Sequence, residues 1–379
     1  MEVVTDEAGF LALRPAWNAI AAQRPDLSVF AWHEWFDAAW QWRRDACRLY
    51  VVTWTDRGQV RAILPMLTRT ARGRLGSVRE LSLLTVPDTQ FCDMLVADAD
   101  RSRAVDAFAS HLASHARDWD VMRLAYLRPD SAIATTLASA MAASGCAVTH
   151  AAAPGNPFIS LLGDWNAYYG GRSRRLKKAN NLAANRLAKA GEVRIEWLEP
   201  GNADAGRLGS LVEGIVEVSQ NSWKSATGTT LDQPGPGAFI RRLSKVAAER
   251  GWLSIWMLSL DGRPMATEYQ LVCEGNVHAL RSDFRTGNEE ISPGSHLNRT
   301  LLEQLFGRGY RRYFMGPGNN AYKFRWAEDT DAQVAVTIYS RSIAGRILSV
   351  WERRLRPWAS ALKARFVVPS KPVAESNDD

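Results

Sequence analysis

Two glycine-bearing segments near the end of the chain hold residues suited to chemistry: Ile291-Ser-Pro-Gly-Ser-His-Leu297 and Met315-Gly-Pro-Gly-Asn-Asn-Ala-Tyr-Lys-Phe-Arg-Trp326. The first follows a strand-like run at 276–283 and precedes Leu297, Leu301, Leu302, Leu305 and Phe306 at helical spacing, which puts Pro293 and Gly294 at a helix N-terminus. Free backbone N–H groups, the positive end of the helix dipole and the hydroxyls of Ser292 and Ser295 would form a seat for an anion such as phosphate. Ordinary capping gives the same signature, because Ser followed by Pro is a common helix start. Residues 310–315 read as a short strand, from which Gly316-Pro-Gly318 turns the chain toward Tyr322 and Lys323. Strand, helix and strand in this order make a parallel crossover, and ligands bind where the carboxyl ends of such strands separate. A lysine and a phenol at that edge suit anion binding or proton transfer. The plain alternative is a surface loop in which Tyr322, Phe324 and Trp326 cover the sheet.

The elements that would position these residues occur twice. A helix at 32–42, a strand at 48–54, a turn at Asp56-Arg-Gly58 and a returning strand at 60–66 are echoed by a helix at 239–250, a strand at 252–260, a turn at Asp261-Gly-Arg263 and a returning strand at 264–272. Gly58 and Ala62 match Gly262 and Ala266. A helix at 105–116 and a strand at 120–125 likewise parallel the helix at 297–306 and the strand at 310–315. A duplicated α/β unit explains the order. Ala151-Ala-Ala-Pro-Gly-Asn-Pro157 reads as a loop closing the first unit near residue 160.

Composition narrows the class. The 379 residues, 46% hydrophobic and 23% charged, can build two ordinary cores. No run of apolar residues is long enough to span a membrane, and the start lacks a basic region followed by an apolar one, so a cytoplasmic protein is expected. Four scattered cysteines and six histidines without ligand spacing predict buried thiols and no metal. The formal charge of +7 favours anionic partners without choosing one. Much of it lies at 172–189, a basic helix with Leu176, Ala179, Leu182, Ala183, Leu187 and Ala190 as its apolar stripe. A basic helical extension follows at 343–366, broken or kinked near Pro357, and 367–379 reads as a disordered tail. The extension packs on its own domain or makes a peripheral contact with an anionic membrane face.

Ser222-Trp-Lys224, Gly228-Thr-Thr-Leu231, Asp261-Gly-Arg-Pro-Met-Ala266, Arg281-Ser-Asp283, Ser292-Pro-Gly294 and Gly316-Pro-Gly-Asn-Asn-Ala-Tyr-Lys323 stand in the order seen in a known family. The chain resembles the GNAT-superfamily acetyltransferases of the BioF2-like / CelD (cellulose biosynthesis) type, relatives of the FemAB-like transferases. The resemblance is strongest from about 165 to 340. It implies an α/β (α+β) fold of tandem duplicated GNAT-like domains with mixed sheets flanked by helices: 1–160 a degenerate N-terminal GNAT-like domain and 161–342 the GNAT acyltransferase domain.

It also implies acyl transfer from acetyl-CoA or another acyl-CoA. The strand residues Leu280 and Arg281 would receive the thioester, and Ser292, Gly294, Ser295 and His296 would hold the pyrophosphate. Asp283 would be general base or orienting carboxylate, Tyr322 the proton donor to the thiolate, and Lys323 and Lys224 the holders of negative charge. Trp223 and Trp326 would be flat walls for a sugar ring or the pantetheine arm, and Asn319 a substrate contact. Two departures stand out: the loop from Arg285 to Gly294 is not a clean Arg-x-x-Gly-x-Gly/Ala pattern, and Met315 replaces a frequent acidic residue. The leading expectation is a metal-free acyltransferase acting on a sugar or polysaccharide precursor, with a small-molecule or glycan acceptor and no nucleic acid. Aminoacyl transfer from charged tRNA to an envelope amino sugar, and a non-catalytic envelope-assembly module, are the alternatives.

Overall fold

The computed structural model describes residues 1–73, 76–202, 205–222, 224–225, 228–287 and 289–355. In the first half the strands are β1 (Glu2–Val4), β2 (Arg48–Asp56), β3 (Gln59–Gly73), β4 (Gly76–Leu83), β5 (Leu95–Val96), β6 (Val121–Leu127) and β7 (Ala147–Ser160). Those of the second are β8 (Val193–Leu198), β9 (Leu253–Leu260), β10 (Arg263–Cys273), β11 (Asn276–Phe284), β12 (Arg312–Phe314) and β13 (Asp329–Tyr339). The helices are α1 (Glu7–Ala12), α2 (Arg14–Ala21), α3 (His33–Arg43), α4 (Arg101–Ser114), α5 (Ala138–Ala143), α6 (Trp165–Gly170), α7 (Arg174–Ala190), α8 (Ala205–Gln220), α9 (Pro234–Glu249), α10 (Pro293–Leu305) and α11 (Ile343–Val350).

The duplication is visible in local geometry. Arg57-Gly58 joins β2 to β3 with both residues at positive φ (50° and 77°), and Asp261-Gly262 joins β9 to β10 in the same way (49° and 77°). Two consecutive left-handed residues give the tight turn whose twist matches the flanking strands. Each returning strand then carries one unpaired residue in the equivalent place, Arg61 and Met265. Each half also contains a parallel pair separated by a helix, β4 with β6 across α4 and β11 with β12 across α10.

The strands form one sheet in the order β1-β2-β3-β4-β6-β13-β7-β12-β11-β10-β9-β8. The last strand of each half is exchanged: β13 pairs with β6, and β7 pairs with β12, while β7 and β13 pair with each other. The stretch 151–157, expected as a loop, is thus part of β7. Its proline and glycine fall at a bulge, where Ala153 pairs with Gln333 and Asn156 with Asp331, so Pro154 and Gly155 face a single residue of β13. A bulge needs no N–H from the proline. The glycine admits its neighbour, because a Cβ there would lie 2.4 Å from Thr330 Cγ2.

One apolar core runs through both halves, with Trp35 against Phe239 at 5.6 Å between α3 and α9. A second lies between α6, α7, α10 and the other face of the β9–β12 region. The apolar face of α7 is narrower than the sequence stripe: Leu176, Ala183 and Leu187 are buried, Ala179, Leu182 and Ala190 are exposed, and Asn180 is buried, donating to Tyr169 Oη at 3.1 Å. Residues beyond 355, including the expected kink at Pro357 and the tail, lie outside the described residues. Among the described residues no helix is long and apolar enough to cross a membrane.

Candidate active site

β11 and β12 pair only over Asn276–His278 and Arg312–Phe314. Beyond that point β12 ends and Gly316 and Gly318, at φ 79° and 137°, turn the chain away. Residues 279–284 of β11 continue without a strand on that side. A cavity of about 320 Å³ opens in the gap. Such a split between parallel strands exposes backbone groups that no ladder satisfies, and it is where ligands bind in sheets of this kind.

The floor of the cavity holds a buried carboxyl group. Glu268 stands on β10 opposite Ser282 of β11 and accepts a hydrogen bond from the Tyr313 hydroxyl at 3.0 Å. Burial pushes its acid up to about 7, against the opposing pull of the Ser282 and Tyr313 hydroxyls and the Lys224 charge. Lys323, buried, donates to the carbonyls of Gly316 (2.7 Å) and Pro317 (3.2 Å), so it also fixes the glycine turn. Burial lowers its ammonium to about 8. Tyr322 is 45% exposed as a residue, yet its phenol borders the cavity, and burial with the charges of Glu268 and Asp283 pushes it up to about 12.

The remaining expected residues divide into three groups. Leu280, Arg281, Lys224, Tyr322 and Lys323 line the cavity. Arg281 is already committed, with its Nε 2.9 Å from Asp88 Oδ2 and its Nη1 donating to Thr229 O at 2.9 Å, so it clamps the two halves. Asp283 does not line the cavity; it is buried with Oδ1 2.6 Å from Lys224 Nζ, an arrangement that aims the lysine. Ser292, Gly294, Ser295 and His296 also lie off the cavity. They sit where β11 ends: a Cβ on Gly294 would meet the Phe284 ring at 3.2 Å, and Asn298, further along α10, does line the cavity. Ser292 adopts a left-handed conformation (φ 47°) and makes no side-chain cap bond, so the capping expected of its hydroxyl is not what starts the helix. Burial lowers His296.

Trp326 does not line the cavity: it belongs to the second core, with its carbonyl accepting from Tyr168 Oη at 2.7 Å. Asn319 is exposed and off the cavity, and the adjacent Asn320 takes its place in the lining. Trp223 lies outside the described residues.

Sequence reasoning passed over Glu268 and the first half's contribution. The signal for Glu268 was an acidic residue in the middle of a returning strand, a placement that is rare without a function or a partner. Pro87, Asp88 and Gln90 come from the loop after β4 and line the same cavity. Gln90 Nε2 donates to Ala279 O at 2.8 Å, and its Oε1 lies 2.9 Å from His278 Nδ1 and 3.2 Å from Asn156 Nδ2. Nothing local in one half of a sequence says that a loop will reach the other.

With this geometry in view, residues 174–324 match the family described as an acetyltransferase (GNAT) domain. The second half matches a GNAT-type domain. No curated protein matches the sequence. Among solved structures, FemX is similar at 11% identity over 92% of this chain and 99% of its own, with a TM-score of 0.55. A tandem GNAT protein from the clavulanic acid biosynthesis pathway is similar at 14% identity over 89% and 97%, with a TM-score of 0.51. L-PGS from Bacillus licheniformis is similar at 10% identity over 91% and 98%, with a TM-score of 0.50. At such identities the likeness is one of fold, and the fold is the tandem GNAT architecture.

Proposed function

We propose that the chain is an acyl-CoA-dependent acyltransferase of the BioF2-like / CelD kind, transferring an acyl group, acetyl first among the candidates, to an amine or hydroxyl of a sugar or polysaccharide precursor in exopolysaccharide or cell-envelope biosynthesis. The match of its second half to a GNAT domain supports the reaction class. The observation that carries the reading is Glu268, an acid buried at the split between strands and held near neutrality. A base with that affinity removes a proton at physiological pH without being permanently protonated or permanently weak.

The residues divide the work as follows. Glu268 takes the proton of the acceptor as its nitrogen or oxygen bonds to the thioester carbonyl carbon. Lys323, with Lys224 beside Asp283, faces the negative charge that develops on the carbonyl oxygen. When the carbon–sulfur bond breaks, Tyr322 gives its proton to sulfur; a phenol pushed up to about 12 keeps that proton until it is needed. Glu268 then returns its proton to Tyr322 through solvent, so the net change is one proton moved from acceptor to thiol. The open edge of β11 and the start of α10 are where the acyl carrier would lie.

The test is a thermal-shift and transfer screen of acyl-CoAs against amino sugars and glycan precursors. A donor at a hundred times its dissociation constant adds about 2.7 kcal/mol to stability. Failure of every acyl-CoA to shift the melting temperature or release free thiol sinks the proposal. The exposed Arg174, Arg175, Lys178, Arg186 and Lys189 of α7 favour, as a second reading, aminoacyl-tRNA as donor. That reading requires RNA binding that weakens steeply with salt.

A further inference from the structure

α11 turns an apolar stripe away from the protein. One flank is anchored: Ser342 accepts from the Gly345 N–H at 3.0 Å, and Leu348 joins Val121 and Tyr339 in a small core. Just past the helix, Glu352 accepts from Tyr339 Oη at 2.7 Å and from Arg123 at 2.6 Å. The opposite flank carries Ile343, Ile347 and Val350, which are 80%, 54% and 50% exposed. Their spacing of four and then three residues sets them in one row along the helix. Single exposed apolar residues are ordinary, but a row of three branched ones on one helix is not.

The surroundings of that row are basic. Arg346, Arg353 and Arg354 are exposed beside it, while Arg341, before the helix, donates to the Ala113 carbonyl at 3.1 Å. Among the described residues Arg346, Arg353 and Arg354 form no ion pair with a carboxylate. Glu352, the one acid between Arg341 and Arg354, is turned inward. The sequence continues in the same sense, with Arg356, Lys363 and Arg365 and no acid up to Phe366.

We propose that α11 is the contact by which this protein sits on an anionic lipid surface, with Ile343, Ile347 and Val350 entering the acyl boundary and the flanking arginines meeting lipid phosphates. An amphipathic helix of this composition binds through buried apolar area together with attraction to anionic headgroups. A second copy of the chain is the poorer occupant. In a two-fold dimer across this face the arginines of one copy would meet the same arginines of the other, and like charges set face to face oppose association. The inference does not depend on the acyl-transfer reading, because no cavity residue takes part in it.

The experiment is co-sedimentation of the full chain with vesicles of phosphatidylcholine alone and of phosphatidylcholine with about one third phosphatidylglycerol. Wild type is expected to sediment with the anionic vesicles only, less so as salt rises. The double variant Ile343→Asp/Ile347→Asp is expected to bind at least about tenfold more weakly with an unchanged melting temperature. Val350→Asp, tested alone, is expected to weaken binding in the same direction. Absence of wild-type binding, or equal binding by the variants, overturns the proposal. So does a fall in the variants' melting temperature or a change in their oligomeric state, which would mean that the row is covered by the rest of this chain or by a second copy.

Discussion

Glu268 connects chemistry and stability in one side chain. If it is the base, kcat/KM rises as the pH passes about 7, where its carboxyl loses its proton, and falls above about 8, where Lys323 loses the charge that faces the oxyanion. Glu268→Gln should lower kcat by about 100-fold or more and flatten the rising limb, measured as thiol release from acetyl-CoA across pH 5–9. A rising limb that survives in the variant assigns the base elsewhere. The same residue should weaken the fold. Its folded-state acid near 7 lies above the ordinary 4.5, so the native state holds the proton longer than the unfolded chain does. The native state therefore loses stability as pH climbs from about 4.5 to about 7, and the full loss persists above that. The shift corresponds to about 3 kcal/mol. Glu268→Gln should accordingly be more stable than wild type at pH 8 by up to about that amount and show little gain at pH 4.5, by denaturant unfolding at both values.

At the scale of elements, the glycine turn of the site rests on a bulge from the other half. The Gly155 carbonyl accepts from the Gly318 N–H at 3.1 Å, and the Pro157 carbonyl accepts from the Met315 N–H at 2.9 Å. Gly155→Val would drive side-chain atoms into Thr330 and the Asp331 carbonyl, which a Cβ alone already approaches to 2.4 and 2.9 Å. We expect a loss of about 1–3 kcal/mol and, because Gly318 and Lys323 move with the turn, a fall in kcat beyond what the unfolded fraction explains. Gly155→Ala should give a smaller change in the same direction. The hairpins, the helix after β11 and the turn at Gly316 were legible in the sequence, since each is specified by local periodicity and by glycines at positive φ. β7 was not, because Pro154 and Gly155 signal a break and only the partner strand converts that break into a bulge. The lining of the cavity was half legible. Tyr322 and Lys323 follow their own turn, whereas Asp88 and Gln90 arrive through tertiary packing. Trp326 packs in the core rather than in the lining, and an aromatic beside a loop gives no local sign of which side it faces.

For the molecule as a whole, the exchange of β7 and β13 decides how it unfolds. The boundary expected near residue 160 falls at the end of β7, after that strand has paired with both β13 and β12. Cutting there leaves the first fragment with β6 lacking its β13 partner, and the second with β12 and β13 lacking β7. Each fragment would carry a long unpaired edge and the uncovered faces of α3 or α9. Further links cross the cut: the Arg281–Asp88 pair, half-buried at Asp88, and the buried His278 ring, whose Nε2 lies 2.9 Å from Ser28 Oγ. The energetic coupling therefore exceeds that of two domains joined by a linker, whose interface is modest and polar. Residues 1–160 and 161–379 expressed separately should show no cooperative thermal transition, whereas the intact chain should unfold in one calorimetric transition whose van't Hoff and measured enthalpies agree. Coexpressed fragments should recover the transition, because strand pairing and core packing need no covalent link once both pieces are present. Two resolved transitions in the intact chain, or a separately folded second fragment, would show instead that each half completes its own sheet.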